Sequence, residues 1–124
     1  MSLYDKEKEV ELRVLGPEGK AFIELENEFT ESFRNEGYYF SIPRLFSAPA
    51  ETAVYITIGI GVISGVSTYL LTSLIDKVFK IKKEKSQNNT NITFKIHIGD
   101  KYIDLPNDRE EILKKLESLK KDAE

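Results

Sequence analysis

Few residue types in this chain can carry acid–base or covalent chemistry, and their spacing is loose. The 124 residues include one histidine, His97, and no cysteine. Without cysteine, disulfides, thiolate catalysis and Cys-ligated metal sites are excluded together. His97 stands between Ile96 and Ile98, on the outward face of an alternating segment. General-base or metal work needs partners beside the ring, and only Asp100 and Asp104 are near it in sequence. A lone outward histidine reads as a surface residue. Glu18, Glu24, Glu26, Glu28 and Glu31 lack the EF-hand spacing and read as the solvated face of a helix. Gly59-Ile60-Gly61 has no Lys-Ser/Thr after it in register, so it is not a phosphate loop. The expectation is no enzymatic activity, no catalytic residue, no cofactor and no metal site.

Two further sets have non-catalytic readings. Lys77, Lys80, Lys82, Lys83 and Lys85 follow an apolar segment. Cations there favour a helix C-terminus and can also meet anionic lipid headgroups. Nucleic acid is disfavoured, because the net charge is -3 and Phe79 is the cluster's one aromatic residue. Thr57, Gly61, Gly65, Thr68 and Thr72 line up as a small-residue stripe if the segment carrying them is one helix. Such a stripe allows close helix approach, in a protein core or oligomer or in lipid.

The elements that would position these residues follow from periodicity. Val10, Leu12 and Val14 alternate with polar neighbours and predict a strand that Gly16-Pro17 ends. Phe22, Leu25 or Glu26, Phe29 and Phe33 recur at helical spacing within residues 18–35, and Gly37 is a helix stop. Residues 38–46 predict a second strand, which Pro43 places at an edge or ends early. No charge occurs from Thr52 to Ile75, and residues 51–82 are read as one long apolar central helix. Residues 86–91 form a polar linker, in which the two Asn-x-Thr triplets are chance glycosylation patterns. Residues 92–105 predict a hairpin, with Ile92, Phe94, Ile96 and Ile98 inward and Gly99-Asp100 at the turn. A C-terminal helix over residues 108–121 is capped by Asn107 or Asp108, with Ile112, Leu113, Leu116 and Leu119 inward. The expected fold is α+β: one domain over residues 1–124, ordered β-α-β-α-β-β-α, with a four-stranded mixed sheet.

The uncharged run leaves two readings open. It is long enough to span a bilayer, which takes roughly 20 apolar residues, and the lysines behind it would lie on the cytoplasmic side. A span would split the chain into two pieces, each with open strand edges and little core. The N-terminal segment MSLYDKEKEVEL has no apolar h-region and does not read as a signal peptide. The reading preferred here is a helix buried by the sheet and by a second copy or a partner protein.

The element order and particular segments also resemble a known family. These are VELRVLG, an acidic helix, IPRLFSAPAE, GIGVISGVSTYLLTSLIDKVFKIKK, ITFKIHIGDKYIDL and DREEILKKLESL. Together they resemble the effector-associated constant component proteins, first type, of prokaryotic conflict systems. The resemblance implies a non-enzymatic accessory component working beside effector, protease or NTPase proteins, and it implies no catalytic residues. The expected function is an interaction module in the cytoplasm, associating with itself or with an effector. The alternative is a membrane-associated effector whose 52–75 helix spans or inserts, leaving the protein single-span or peripheral.

Overall fold

Alternation decides the structure more than run length does. The computed structural model describes residues 6–15, 22–43, 52–86, 90–98, 101–106 and 108–123. A 3-10 turn, Lys6–Lys8, leads into β1 (Glu9–Leu15), followed by α1 (Leu25–Asn35), β2 (Tyr39–Ser41) and β3 (Thr52–Gly59). Next come α2 (Ile60–Gly65), α3 (Thr68–Ile81), a π turn at Lys82–Ser86, β4 (Thr90–Ile98), β5 (Lys101–Leu105) and α4 (Arg109–Ala123). The fold is α+β, with one mixed sheet in the order β2-β1-β3-β4-β5. The pairs β1–β2 and β3–β4 are parallel, and β1–β3 and β4–β5 are antiparallel.

The long helix expected over residues 51–82 is therefore corrected. Its first quarter is β3, which makes five strands rather than four and changes the element order to β-α-β-β-α-α-β-β-α. Thr52–Gly59 contains Val54, Ile56 and Ile58 at every second position, all at most 1% exposed. Their β-branched side chains fit a pleated surface that is buried on one face. The strand is central, paired with β1 on one side and β4 on the other.

The rest of the run breaks again. Val66 and Ser67 are extended, with ψ of 148° and 141°. Ser67 caps α3, its Oγ accepting from the Leu70 N–H at 3.3 Å, which satisfies one otherwise unpaired donor. The Ser67 N–H donates to Glu36 Oε1 at 3.1 Å. Lys120 Nζ donates to the Val66 carbonyl and to Thr68 Oγ1, each at 3.3 Å. Side chains from beyond α1 and from α4 thus take up polar groups that a continuous helix would pair internally. The remaining helix, α3, is about 21 Å long at 1.5 Å per residue. No helix among the described residues is long and apolar enough to cross a membrane.

Each helix buries one stripe against the sheet. Leu25, Phe29 and Phe33 of α1, Leu70, Leu71, Leu74, Ile75 and Val78 of α3, and Ile112 and Leu116 of α4 join the inward strand residues in one cluster. Phe33 stacks on Phe40 and Phe79 on Phe94, both at 5.7 Å between ring centroids. Gly37, at φ 90°, ends α1 as expected from its left-handed freedom. Asp108 begins α4: its carboxylate accepts from the Glu110 N–H at 3.2 Å and its carbonyl from the Ile112 N–H at 2.9 Å. Of the predicted polar linker, Ser86 closes the π turn and Thr90 and Asn91 open β4. The Gly99-Asp100 turn, Asn107, Glu18 and residues 44–51 and 87–89 lie outside the described residues.

The glycines of the expected stripe pack within the chain. A Cβ on Gly61 would stand 2.7 Å from the Glu7 carbonyl oxygen, and one on Gly59 would collide with the same atom. A Cβ on Gly65 would meet the Tyr38 hydroxyl. Gly59→Ala and Gly61→Ala collide with backbone, which cannot swing aside. Each is expected to cost about 1–3 kcal/mol by overpacking. Gly65→Ala should cost less, because its neighbour is the tip of a rotatable side chain. Urea unfolding of the three variants checks this ranking, and Gly65→Ala as the most damaging of the three would contradict it.

Candidate functional site

The helices occupy one face of the sheet. The opposite face carries the side chains that alternate with the core. On β1 these are Glu9, Glu11 and Arg13, and on β3 they are Tyr55 and Thr57. The pairing sets Ser41, Glu11, Thr57, Lys95 and Asp104 in one row across all five strands. A second row places Arg13 beside Tyr55. At the other end His97 stands beside Tyr102, its ring edge-on at 5.0 Å. No helix of the described residues covers these rows. Tyr39, Tyr55 and Tyr102 are 43%, 39% and 53% exposed there.

A cleft of about 440 Å³ lies over this face, within the range of ordinary ligand pockets. Lys6, from the turn before β1, lines it together with Glu9 and His97. The Lys6 and Glu7 carbonyls crowd onto Gly59, where any side chain would collide. Gly59 pairs with His97, and Glu9 follows the turn directly.

Glu9 is the one buried charged residue among those described, at 7% exposure. Its Oε2 accepts from Ser41 Oγ at 2.7 Å. Removal from water pushes the Glu9 carboxyl above its usual range; the Ser41 hydrogen bond opposes this, and Glu11 adds to it. Arg13 and His97 pull it back only partly. Arg13 is occupied by Glu11, Nε to Oε1 at 2.5 Å. Lys95 lies 4.0 Å from Asp104. The His97 Nδ1 is buried and has no hydrogen-bond partner among the described residues. The cleft thus holds a poorly compensated carboxyl and an unpaired ring nitrogen, with half-exposed tyrosines around them.

The residues singled out in sequence come out differently. The stripe does not exist, because its members lie on three elements rather than one helix face. Thr57 is on β3, facing the cleft. Gly61 packs on Glu7 and Gly65 on Tyr38. Thr68 meets Lys120 at the start of α3, and Thr72 is on the outer side of α3, opposite its buried residues. The lysines do not converge either. Lys77 pairs with Glu28 at 3.5 Å, Lys80 and Lys83 are exposed, and Lys82 is half-buried in the π turn. The Lys85 side chain lies outside the described residues. His97 does face outward, as its position in the alternation requires, but it is partly enclosed. No group of three His, Cys, Asp or Glu among the described residues can hold a metal ion. The open face was missed because its residues come from four separate segments. Its signal lay in the polar halves of the alternating strands.

Comparison with known proteins finds no match: no family model, no curated protein and no solved structure is significantly similar to the chain.

Protonation of Glu9 supplies a test of this geometry. The folded carboxyl holds its proton to higher pH than the unfolded one, whose ordinary value is 4.5. The native state therefore binds more protons, and stability falls as pH rises from that value through the folded pKa. Glu9→Gln keeps an acceptor for Ser41 and removes the charge. It is expected to melt above the native protein near pH 7, with the gain vanishing below the ordinary carboxylate range. Thermal unfolding at both pH values checks this, and a variant that melts lower at neutral pH would contradict it.

Proposed function

We propose that this chain is a non-enzymatic interaction module that engages a partner protein through the open face of its sheet. One observation carries the reading: Tyr39, Tyr55 and Tyr102 stand exposed on the same face as Arg13, with no helix of the described residues over them. A half-exposed tyrosine offers a large apolar ring and a polar tip at low entropy cost. Tyrosine and arginine are the residue types that concentrate binding energy at protein interfaces. Charges of both signs alternate across the face, which favours a partner of matching pattern over non-specific attraction.

This reading moves the interaction surface from the helix to the sheet. The apolar stripe of α3 is spent on the core and is not available to a partner. The resemblance to the effector-associated constant component proteins supports the accessory role and suggests the partner, an effector protein of a prokaryotic defence system in the cytoplasm.

The test is co-expression with a candidate effector protein of such a system, followed by size-exclusion chromatography and calorimetry. Replacing Tyr55 and Tyr102 together with serine is expected to weaken the complex by about 100-fold, the loss typical of interface anchors. Tyr69→Ser, at an 82% exposed tyrosine on α3, should leave it unchanged. A complex indifferent to the face variant, or sensitive only to Tyr69→Ser, would overturn the reading, as would no complex at all.

A further inference from the structure

The sheet ends at β5, whose outer edge is open. β5 pairs with β4 on one side, and no strand of the described residues pairs with the other. The pairing with β4 runs without a bulge from Lys101 to Leu105, and the first proline after it is Pro106. At such an edge, backbone N–H and C=O groups point away from the sheet and form a template for another extended chain. Ile103 adds a second demand. It lies opposite Ile96, which is fully buried, so the alternation turns Ile103 to the helix face. There it is 37% exposed. Of the large apolar residues that the described strands turn to that face, Ile103 alone is exposed. A strand added to β5 would pair the open backbone groups and cover this side chain together.

We propose that β5 pairs antiparallel with β5 of a second copy of this chain, about a two-fold axis at Ile103. The axis stands perpendicular to the sheet, so residues opposite one another share a face. Ile103 then meets Ile103 of the second copy, Tyr102 meets Asp104, and Lys101 meets Leu105. All five residues of β5 are paired, the two exposed isoleucines cover each other, and no like charges stand opposite. The neighbouring symmetric registers are poorer. Centred on Asp104, the two carboxylates face each other and Tyr102 meets Pro106, which has no N–H to donate. Centred on Tyr102, Ile103 meets Lys101 and Leu105 has no opposite residue in β5. This self-match in apolar surface and charge points to a second copy rather than an unrelated strand. The product is one sheet of ten strands, with both open faces on the same side. The pairing uses the edge of the sheet and does not rest on the open face being a docking surface.

A contact of this size makes a weak dimer. In sedimentation equilibrium the mass is expected to rise from 14.2 kDa toward twice that value between about 10 µM and 1 mM chain. Ile103→Lys, checked for a native spectrum, sets two ammonium groups at the axis and should weaken the dimer by about tenfold. The register is read by cross-linking. The chain has no cysteine, so Ile103→Cys and Lys101→Cys each carry a single thiol. Opposite residues of an antiparallel pair have Cα atoms about 4.5–5.5 Å apart, within disulfide reach. The two copies of residue 101 would lie about 13 Å apart along the strands, out of that reach. Ile103→Cys is therefore expected to cross-link in a glutathione buffer about tenfold faster than Lys101→Cys. A chain that keeps one mass throughout, an Ile103→Lys variant that associates like the parent, or equal cross-linking of the two cysteine variants would overturn the pairing. So would β5 amides that shift only when an effector protein is added, which would assign the edge to that partner instead.

Discussion

Every part of the molecule leans on the burial of Val54, Ile56 and Ile58. They project from a strand that is hydrogen-bonded on both sides and are at most 1% exposed. A central strand has no free edge, so its neighbours are held in register by ladders as well as by packing. Because side chains alternate, burying these three commits Tyr55 and Thr57 to the opposite face. The same parity runs through β1 and β4, where burial of Val10, Leu12, Phe94 and Ile96 turns Glu11, Arg13, Lys95 and His97 outward. The chemistry of the open face follows from how the core is built.

The chain's polar ends and breaks are closed by specific side chains. The interruption between α2 and α3 would leave unpaired backbone groups if Glu36, Ser67 and Lys120 were absent. Asp76 pairs with Arg109 and ties α3 to α4. That pair is half-exposed, so its contribution is small, and it serves better to fix the helix–helix orientation. At the sheet, Gly59 and Gly61 let the Lys6–Lys8 turn press against β3 and α2. This contact sets the turn directly before Glu9, which is buried.

Much of the fold was legible from alternation and helical spacing. β1, the second half of α1, the hairpin strands, the Gly37 stop and the inward residues of α4 were read correctly because each combines a clear period with a local terminator. The central run was misread because absence of charge was taken as the signal and its length matched a helix. The period-two pattern of Val54, Ile56 and Ile58 was present, but Gly59, Gly61 and Gly65 looked like helix-packing residues once a helix was assumed. A strand leading straight into a helix, with no polar residue between, gives no boundary in composition. The open face was harder still, since its rows depend on pairing among distant strands. The order β2-β1-β3-β4-β5 cannot be read from local pattern, and without it Glu9, Arg13, Tyr55 and His97 are unrelated residues.

The central claim is that residues 53–59 form a strand with one face in the core and the other in water. Solvent relaxation enhancement by a soluble gadolinium chelate, read at the side chains, tests it directly. The account predicts a period of two, with Val54, Ile56 and Ile58 protected and Tyr55 and Thr57 enhanced. Protection repeating every three to four residues, or protection of Tyr55 and Thr57 in the isolated chain, would contradict it.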